Sequence, residues 1–515
     1  MKSIGFKNFR RFDNFPSLDL GEITLMVGGN NSGKSTLVKS ILLTLDYLRT
    51  QQGDKMYFDK NTLNDVNIVT FGRARCNYTD SREIVFDCTL GKFEITIITK
   101  GEDDDTYANV LSLKIIDIEN KTVLEINYQN DTISFEIDMT SDGESPQPQE
   151  FDIQEVIKAE IDALKAQIEK SKSWNEKLKL QAEINSQEDK LRKSTGYKKT
   201  AYNQSGITKV EYRINNRIGS ELNGNLFDES INDFVATNRN LISLAQGKQE
   251  KVSDSTLVDM KYLDLHSDIL YKFSADLKAT LHKNRFVYLA AHSTKQTALF
   301  SIRDKENMIS VAIHEFHQLK LEENSVEHSF VLNWMKEFEI GTNYDIKVQA
   351  SEAYTFKIES EGKWIHLGDK GMGSIQAMTL ILQLATIIRK YKGQLEGCIV
   401  IIEEPELNMH PKLQSKLADL FEYINKTYGI RFIVETHSEY LIRRTQVIVA
   451  NENYKDQKDV DENNKFRVYY FPKKEIPYSM GYTQNGRFIE KFDSGFFDVA
   501  SENSLNLSKL ERERR

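Results

Sequence analysis

The sequence predicts an α/β protein built on an open, largely parallel sheet, and two observations support this fold class. Three short apolar runs, which begin at Ile23, Cys398 and Arg431, are typical of strands buried on both faces. Segments with helical character follow the first run from Lys34 and separate the other two from Pro411 onwards. Each run ends in glycine or charged residues, so polar groups are expected at the carboxyl edge of the sheet, where open α/β folds carry their sites.

The region between these runs predicts further elements. Short alternating apolar and polar runs from Arg82 to Asp138 are typical of an antiparallel β meander. After a polar linker, apolar residues recur with 4-3-4 spacing over Ile157–Ile168, and a second set, Ile184–Leu191, is out of phase with the first. The phase change favours a short antiparallel coiled-coil hairpin, with a solvated amphipathic helix packed on the body as the alternative.

Composition and charge limit the classes of protein that remain. The chain has 515 residues, is 39% hydrophobic and 28% charged, and carries a formal net charge of −9, which argues against indiscriminate coating of nucleic acid but leaves a local basic groove open. Its three cysteines show no paired spacing, which excludes a disulfide framework and fits a reducing cytoplasm. The N-terminus has no signal-peptide core, and the apolar stretch from Met378 is too short for a bilayer, so we expect a cytoplasmic protein without membrane contact.

A phosphate-binding loop follows the first apolar run. GGNNSGKST fits the pattern G-x-x-x-x-G-K-[ST] and lies between a predicted strand and a predicted helix, the context that this motif requires. Backbone N–H groups and the helix N-terminus would bind phosphates, Lys34 would bridge the β- and γ-phosphates of ATP, and Ser35 would hold Mg²⁺. The predicted nucleotide-binding residues are Gly28, Asn30, Asn31, Ser32, Gly33, Lys34, Ser35 and Thr36.

Acidic and histidine side chains follow the two later runs. Glu403 and Glu404 lie at the end of one run, where the first would orient the Mg²⁺ shell and the second would polarise the attacking water. The alternative is a strand end that merely exposes two acids. His437 follows the next run and is predicted to contact a γ-phosphate or to position water, although a lone histidine is more often structural.

A second glycine-rich segment, LGDKGMGSIQ from Leu367, precedes a long apolar helix predicted over Ser374 to Lys390. Gly371 and Gly373 lie directly before that helix, so its N-terminus and the Ser374 hydroxyl would be available to a phosphate group. The alternative is a glycine-rich turn that only caps the helix.

These features, in this order, resemble the ATP-binding-cassette (ABC) type of AAA-family ATPase head found in SMC, RecF and OLD-family proteins. The resemblance implies a head with a split P-loop NTPase core, an antiparallel β meander subdomain and an inserted hairpin. It also implies that two heads sandwich ATP, so that the second loop, here called the signature loop (residues 367–376), reaches the nucleotide of a partner head. The residues implied for this role in trans are Asp369, Gly371, Gly373, Ser374 and Gln376.

Four segments are expected on this basis. They are an N-terminal part of the head with the phosphate loop and meander (1–150), the helical hairpin (151–200), a helical middle region (201–284) and a C-terminal part of the head with the signature loop, the acidic strand and the histidine (285–515).

The C-terminal NGRFIEKFDSGFFD, from Asn485, resembles the tail of a bacterial ATPase group encoded beside defence genes. This implies a cytoplasmic ATPase of the Septu or PARIS kind that assembles as a homo-oligomer and regulates a separate HNH or TOPRIM nuclease in anti-phage defence. DNA or a phage component are further candidate partners. The alternative is a RecF-like DNA-repair or chromosome-maintenance ATPase that acts directly on DNA; the short hairpin and acidic charge favour the first. The hairpin, meander and signature form disfavour a transporter subunit.

Overall fold

The computed structural model of the protein divides into two compact units. The first comprises Met1–Leu18 and Lys39–Leu281, and the second comprises Asp19–Val38 and His282–Arg515. The described residues are 1–50, 54–59, 68–130, 132–138, 150–170, 174–193, 198–204, 207–213, 269, 272–290, 296–393, 397–456, 464–473, 475–494 and 496–513.

The strands form three sheets. In chain order they are β1 (Ser3–Phe9), β2 (Phe12–Asp19), β3 (Ile23–Gly28), β4 (Lys55–Tyr57), β5 (Glu83–Leu90), β6 (Phe93–Lys100), β7 (Tyr107–Asp117), β8 (Thr122–Asn127), β9 (Thr132–Asp138), β10 (Glu150–Asp152), β11 (Lys198–Gln204), β12 (Ile207–Arg213), β13 (Phe286–Leu289), β14 (Phe300–Ser301), β15 (Asn343–Gln349), β16 (Ala353–Ser360), β17 (Lys363–His366), β18 (Ile399–Glu403), β19 (Arg431–Thr436), β20 (Phe466–Phe471) and β21 (Tyr478–Met480).

Helices occur in both units. The named α-helices are α1 (Lys34–Thr50), α2 (Phe71–Ala74), α3 (Ile153–Lys170), α4 (Trp174–Lys193), α5 (Met308–Gln318), α6 (Val326–Glu337), α7 (Met372–Lys390), α8 (Pro411–Tyr428), α9 (Glu439–Asp456) and α10 (Val499–Glu513). Residues 272–283 are also helical.

The first unit is organised around an antiparallel sheet of eleven strands. Its order is β10-β11-β12-β9-β8-β7-β6-β5-β1-β2, with β4 paired to β7. The predicted meander is confirmed, because β5 to β9 pair antiparallel with their sequence neighbours. Burial alternates along β5 and β6, so one face of these strands is packed while the other is partly solvated, as their period-2 sequences require.

The hairpin region begins and ends at paired strands. Asp152 in β10 lies opposite Lys198 in β11, and the helices α3 and α4 between them contact each other. Ile161 and Ile184, one from each predicted heptad set, are buried. The two helices are therefore present where the phase change indicated them. Their connection, residues 171–173, lies outside the described residues, and packing as a coiled coil stays a prediction.

The region 201–284 was expected to be helical, but its first residues form strands. Residues 198–213 form the antiparallel pair β11 and β12, and β12 pairs with β9 to extend the meander. The β12 sequence ITKVEYR is rich in β-branched residues and alternates in character, which favours a strand over a helix. Helix is present at 272–283, and residues 214–268 lie outside the described residues.

The second unit contains the predicted α/β sheet. Its order is β13-β18-β19-β3-β20-β21, and every neighbouring pair is parallel except β20 with β21. All six residues of β3 are buried, as are the first four of β18, because helices cover such sheets on both faces. The carboxyl ends of β3, β18 and β19 consequently meet at one edge, which is where the predicted site residues lie.

Helix α7 is a core element of the second unit. The apolar stretch judged too short for a bilayer belongs to this helix of 19 residues, which is long and apolar enough to cross a membrane by length and composition alone. The helix is longer than the apolar stretch because it begins before that stretch, at Met372. Of its most apolar segment 67% is buried, and Ile381 and Leu384 belong to the hydrophobic core, as is typical of a core helix.

Candidate functional site

The phosphate loop joins β3 directly to α1. Gly28 is the last residue of β3, and a Cβ at this position would lie 2.5 Å from the carbonyl oxygen of Phe471 on the neighbouring strand, so the strand packing requires glycine. Gly33 has φ of +106°, a conformation that side chains rarely adopt. Lys34 then begins α1, and the N–H of Thr36 donates to the Gly33 carbonyl. The predicted strand, loop and helix thus lie where the motif requires them.

The remaining loop residues lie between these two glycines. Asn30 and Asn31 form the outer turn, and Asn31 has φ of +60°, which asparagine tolerates better than most residues. Ser32 is buried, and its Oγ has no hydrogen-bond partner among the described residues. The loop therefore keeps a buried hydroxyl beside the backbone that would bind phosphates.

Lys34 lies inside the loop rather than in solvent. Its Nζ donates to the carbonyl oxygens of Gly28 and Gly29, each at 3.0 Å, and is 3.8 Å from a carboxylate oxygen of Glu435. Burial lowers the pKa of Lys34, while the nearby charges of Glu435, Glu404 and other acids act in the opposite direction. The ammonium group is thus held within the cradle formed by the loop.

Glu435 is a site residue that the sequence predictions missed. It lies on β19, the strand next to β3, and both of its carboxylate oxygens are 3.0 Å from the Ser35 Oγ, which donates to them. Burial, together with the negative charge of Glu403, raises its pKa to about 7, although Lys34 and the Ser35 hydrogen bond act to lower it. The available signal was its position two residues before His437, at the end of an apolar run.

Glu403 is the last residue of β18 and Glu404 follows it. This strand is one position further from the phosphate loop than β19. Glu403 is paired with Glu435 across the β18–β19 ladder. Glu404 has φ of +44°, and a carboxylate oxygen lies 3.6 Å from Nε2 of His437. Burial and Lys34 lower the pKa of His437, with Glu404 opposing them, so the imidazole favours its neutral form. The structure therefore brings both predicted catalytic side chains together.

Glu406 is a second buried carboxylate near this edge that sequence reasoning missed. Its Oε1 accepts a hydrogen bond of 2.6 Å from the backbone N–H of His437, which fixes the start of the segment after β19. Burial raises its pKa, and Oε2 is buried without a hydrogen-bond partner among the described residues. The carboxyl group thus links the loop after β18 to the histidine.

The oxygen ligands around Ser35 suit Mg²⁺. A hydroxyl and a carboxylate lie side by side at Ser35 and Glu435, with Glu403 on the adjacent strand, and Mg²⁺ prefers such hard oxygen donors. Sites for Mg²⁺–nucleotide use one or two carboxylates and the substrate phosphates rather than a closed cage of protein ligands. The described residues contain no group of three or more His, Cys, Asp or Glu side chains arranged to hold a metal.

The signature loop lies at the N-terminus of α7. Asp369 ends a short 3₁₀ turn, Gly371 is the exposed N-cap residue, and Ser374 is half-buried in the first turn of the helix. Gly373 packs closely within the same chain, since a Cβ there would lie 2.6 Å from the carbonyl oxygen of Asn408. Gln376 is half-buried, and its Oε1 has no hydrogen-bond partner among the described residues.

Neighbouring segments hold this loop in place. Gln296 Nε2 donates to the Lys370 carbonyl at 2.7 Å, and the Lys370 ammonium donates to Ser360 Oγ at 3.1 Å. A Cβ at Gly368 would lie 2.2 Å from the Thr297 carbonyl oxygen, so this approach also depends on glycine. These contacts join the loop to Ser360 at the end of β16 and to residues 296–298 and 408–409 of the same chain.

Comparison with known proteins shows the family to which the chain belongs. A search of curated protein sequences found no match. Among solved structures, the chain is similar to the SMC head domain of Pyrococcus furiosus with an extended coiled coil, bound to the C-terminal domain of ScpA, at 12% identity and a TM-score of 0.33, with 100% of this chain and 99% of that chain covered. A family model described as an AAA ATPase domain matches residues 1–442. Because this match covers most of the 515 residues, the chain belongs to the family of proteins with an AAA ATPase domain.

Proposed function

We propose that the protein binds ATP on the phosphate loop of its second unit and hydrolyses it there. The observation that carries this proposal is the contact of Lys34 and Ser35, the first two residues of α1, with the buried carboxylate of Glu435. An ammonium group, a hydroxyl and a carboxylate at the end of a glycine-rich loop are the groups that bind phosphates and their Mg²⁺ ion in P-loop ATPases. Membership of the AAA ATPase domain family supports the same activity.

Each residue has a defined role in this proposal. Loop N–H groups and Lys34 bind the β- and γ-phosphates, while Ser35, Glu403 and Glu435 hold Mg²⁺, which neutralises charge on the phosphate oxygens when bound. Glu404 accepts a proton from the attacking water, and His437, 3.6 Å from it, orients that water near the γ-phosphate. The depressed pKa of His437 suits this role, because a neutral imidazole can accept a hydrogen bond.

The signature loop acts on the nucleotide of a partner head in this proposal. Gly371 is exposed, and a Cβ built on it would meet nothing within 4 Å, so another molecule can approach the N-terminus of α7. The partial positive charge of that helix end and the hydroxyl of Ser374 are suited to a γ-phosphate. Asp369, Gly373 and Gln376 shape the loop, and the active species is a homo-oligomer with ATP between heads.

The wider role we propose is regulation of a separate effector in bacterial anti-phage defence, in the cytoplasm. The resemblance of the motif set and of the segment from Asn485 to ATPases encoded beside defence genes supports it. The effector would be a nuclease of the HNH or TOPRIM type, and the trigger DNA or a phage component. Phage plating on cells that carry the full locus tests this role. Plaque numbers should be reduced by the wild-type locus and restored by Lys34→Ala, and equal numbers with and without the locus would refute it.

ATP hydrolysis itself is tested by release of phosphate from Mg²⁺–ATP by the full-length chain. Lys34→Ala should abolish nucleotide binding, whereas Glu404→Gln should bind ATP and hydrolyse it about 100-fold more slowly, because proton transfer in the transition state is lost. The control is Lys426→Ala, an exposed lysine in the last turn of α8, away from the carboxyl edge of the sheet. Wild-type protein that releases no phosphate and binds no ATP would refute the proposal.

A further inference from the structure

A second lysine lies beside the phosphate loop on the flank opposite Glu435. Strand β3 has β19 on one side and β20 on the other. Phe471, the last residue of β20, is paired with Gly28, and the next residue is Pro472, which has no N–H to continue the ladder. Lys473 then turns towards the loop, where its Cε would lie 3.5 Å from a Cβ built on Gly29. The backbone pairing therefore fixes where this side chain begins.

The part of the loop next to Lys473 corresponds to the terminal phosphates. The Gly29 carbonyl accepts a hydrogen bond from Lys34 Nζ at 3.0 Å. Because the lysine of a phosphate loop bridges the β- and γ-phosphates, Gly29 marks that end of the nucleotide rather than the ribose end. A lysine that reaches Gly29 from β20 consequently approaches the same phosphates from the other side.

Lys473 also differs from Lys465, the lysine just before β20. Lys465, just before β20, forms ion pairs with Glu422 at 3.1 Å and Glu452 at 2.5 Å. Lys473 is exposed and has no ion pair among the described residues. Its ammonium group is therefore available to a ligand, whereas Lys465 is already used within the unit.

The charges around the phosphate loop favour a cation at the position of Lys473. Four carboxylates lie on the β18–β19 side of the phosphate loop: Glu403, Glu404, Glu406 and Glu435. Lys34 is on the same side, 3.8 Å from Glu435, and offsets part of their negative charge. A nucleoside triphosphate brings further negative charge to the same edge, so repulsion must be balanced. A cation on the β20 side of β3, opposite these carboxylates, can balance it.

We propose that Lys473 is a positioning residue that donates a charge-assisted hydrogen bond to the terminal phosphate of a bound nucleoside triphosphate. This inference rests on the proposed ATP site and adds a residue to it from a strand outside the predicted motifs. Because the γ-phosphate is its target, Lys473 favours ATP over ADP. Lys473→Gln should weaken binding of a non-hydrolysable ATP analogue with Mg²⁺ by about threefold to tenfold and change ADP binding less.

The test compares dissociation constants of the full-length protein for the imido analogue of ATP and for ADP, with Mg²⁺, by titration calorimetry. Lys473→Arg should restore most of the affinity. The difference in affinity between wild type and Lys473→Gln should shrink at about 1 M salt, because the Debye length is then about 3 Å and exposed charges are screened. Lys426→Gln has the same charge change at the other edge and should bind as wild type does.

Three outcomes overturn the inference. One is Lys473→Gln protein that binds the ATP analogue as tightly as wild type. The second is an equal loss with Lys426→Gln, which would mean a general effect of net charge, and the third is an equal loss of ADP affinity. If wild-type protein binds neither nucleotide, the proposed function fails first and this inference fails with it, whereas normal wild-type binding with an unaffected Lys473→Gln variant refutes only the inference.

Discussion

Glu435 shows why single residues of the site were only partly predictable. The motifs indicated acids at the end of β18, and Glu403 and Glu404 lie there. The carboxylate that contacts Ser35, however, comes from β19, because β19 and not β18 is the neighbour of β3. Strand order depends on packing between segments that are far apart in sequence, so a motif pattern does not reveal which acid reaches the loop.

The variant Glu435→Gln tests two properties of this carboxylate, its effect on the pH dependence of stability and its proposed binding of Mg²⁺. In the metal-free protein, burial raises its pKa to about 7 from 4.5, so its contribution to folding stability is fully present below pH 4.5 and is lost as pH rises through about 7. The variant should lose that pH dependence and be at least as stable as wild type at pH 8, yet require more Mg²⁺ to bind ATP, about tenfold. Urea unfolding in EDTA at pH 5 and pH 8 measures the first effect. Parallel stability profiles for the two proteins would contradict it.

Gly373 and Gly371 form a matched pair for testing the packing of the signature loop. Gly373→Ala places a Cβ 2.6 Å from the Asn408 carbonyl oxygen, a backbone atom that cannot move alone, and should destabilise the protein by about 1–3 kcal/mol. Gly371→Ala meets nothing within 4 Å and should change the free energy of unfolding by less than about 0.5 kcal/mol. Urea unfolding of both variants decides the point, and equal effects would show that the contact with Asn408 is unimportant.

At the scale of elements, periodicity was the most reliable guide. The meander β5–β9 follows from alternation, and α7 ends at Lys390 as predicted. The antiparallel strands β15–β17 before the signature loop were not predicted, and neither were β11 and β12. Pairing with neighbours that are distant in sequence decides the structure of these strands: β12 pairs with β9, and β14 pairs with β16.

The helical hairpin is predicted to be separable from the nucleotide site. Deleting Ile153–Lys193 leaves residues 194–197 to connect Asp152 to Lys198, which already lie opposite each other in the β10–β11 ladder. Four residues suffice for a hairpin loop, so the first unit should still fold, and the phosphate loop of the second unit should bind ATP within about twofold of wild type. Circular dichroism and nucleotide titration of the deletion variant test this. An insoluble variant, or one without nucleotide binding, would show that α3 and α4 are part of the core.

For the whole molecule, the sequence predicted that the ATPase core is formed by distant parts of the chain. It did not predict where the chain passes from one compact unit to the other. Motifs at opposite ends of the sequence indicated one shared sheet, and β3 indeed lies beside β19 within the second unit. The boundary within α1, between Val38 and Lys39, has no sequence signal, since helical periodicity continues across it. The sequence likewise gave no indication that Lys473 lies beside the phosphate loop, because its position depends on the pairing of β20 with β3.

Hydrolysis of ATP in a site shared by two heads is tested most directly by mixing two inactive variants. Lys34→Ala removes the phosphate-loop lysine, and Ser374→Arg blocks the signature loop, so each homodimer should be inactive. An equimolar mixture contains heterodimers with one intact composite site and should release phosphate at about a quarter of the wild-type rate. Each variant alone, at the same total concentration, is the control. A mixture with no more activity than its components at any ratio would contradict the shared site.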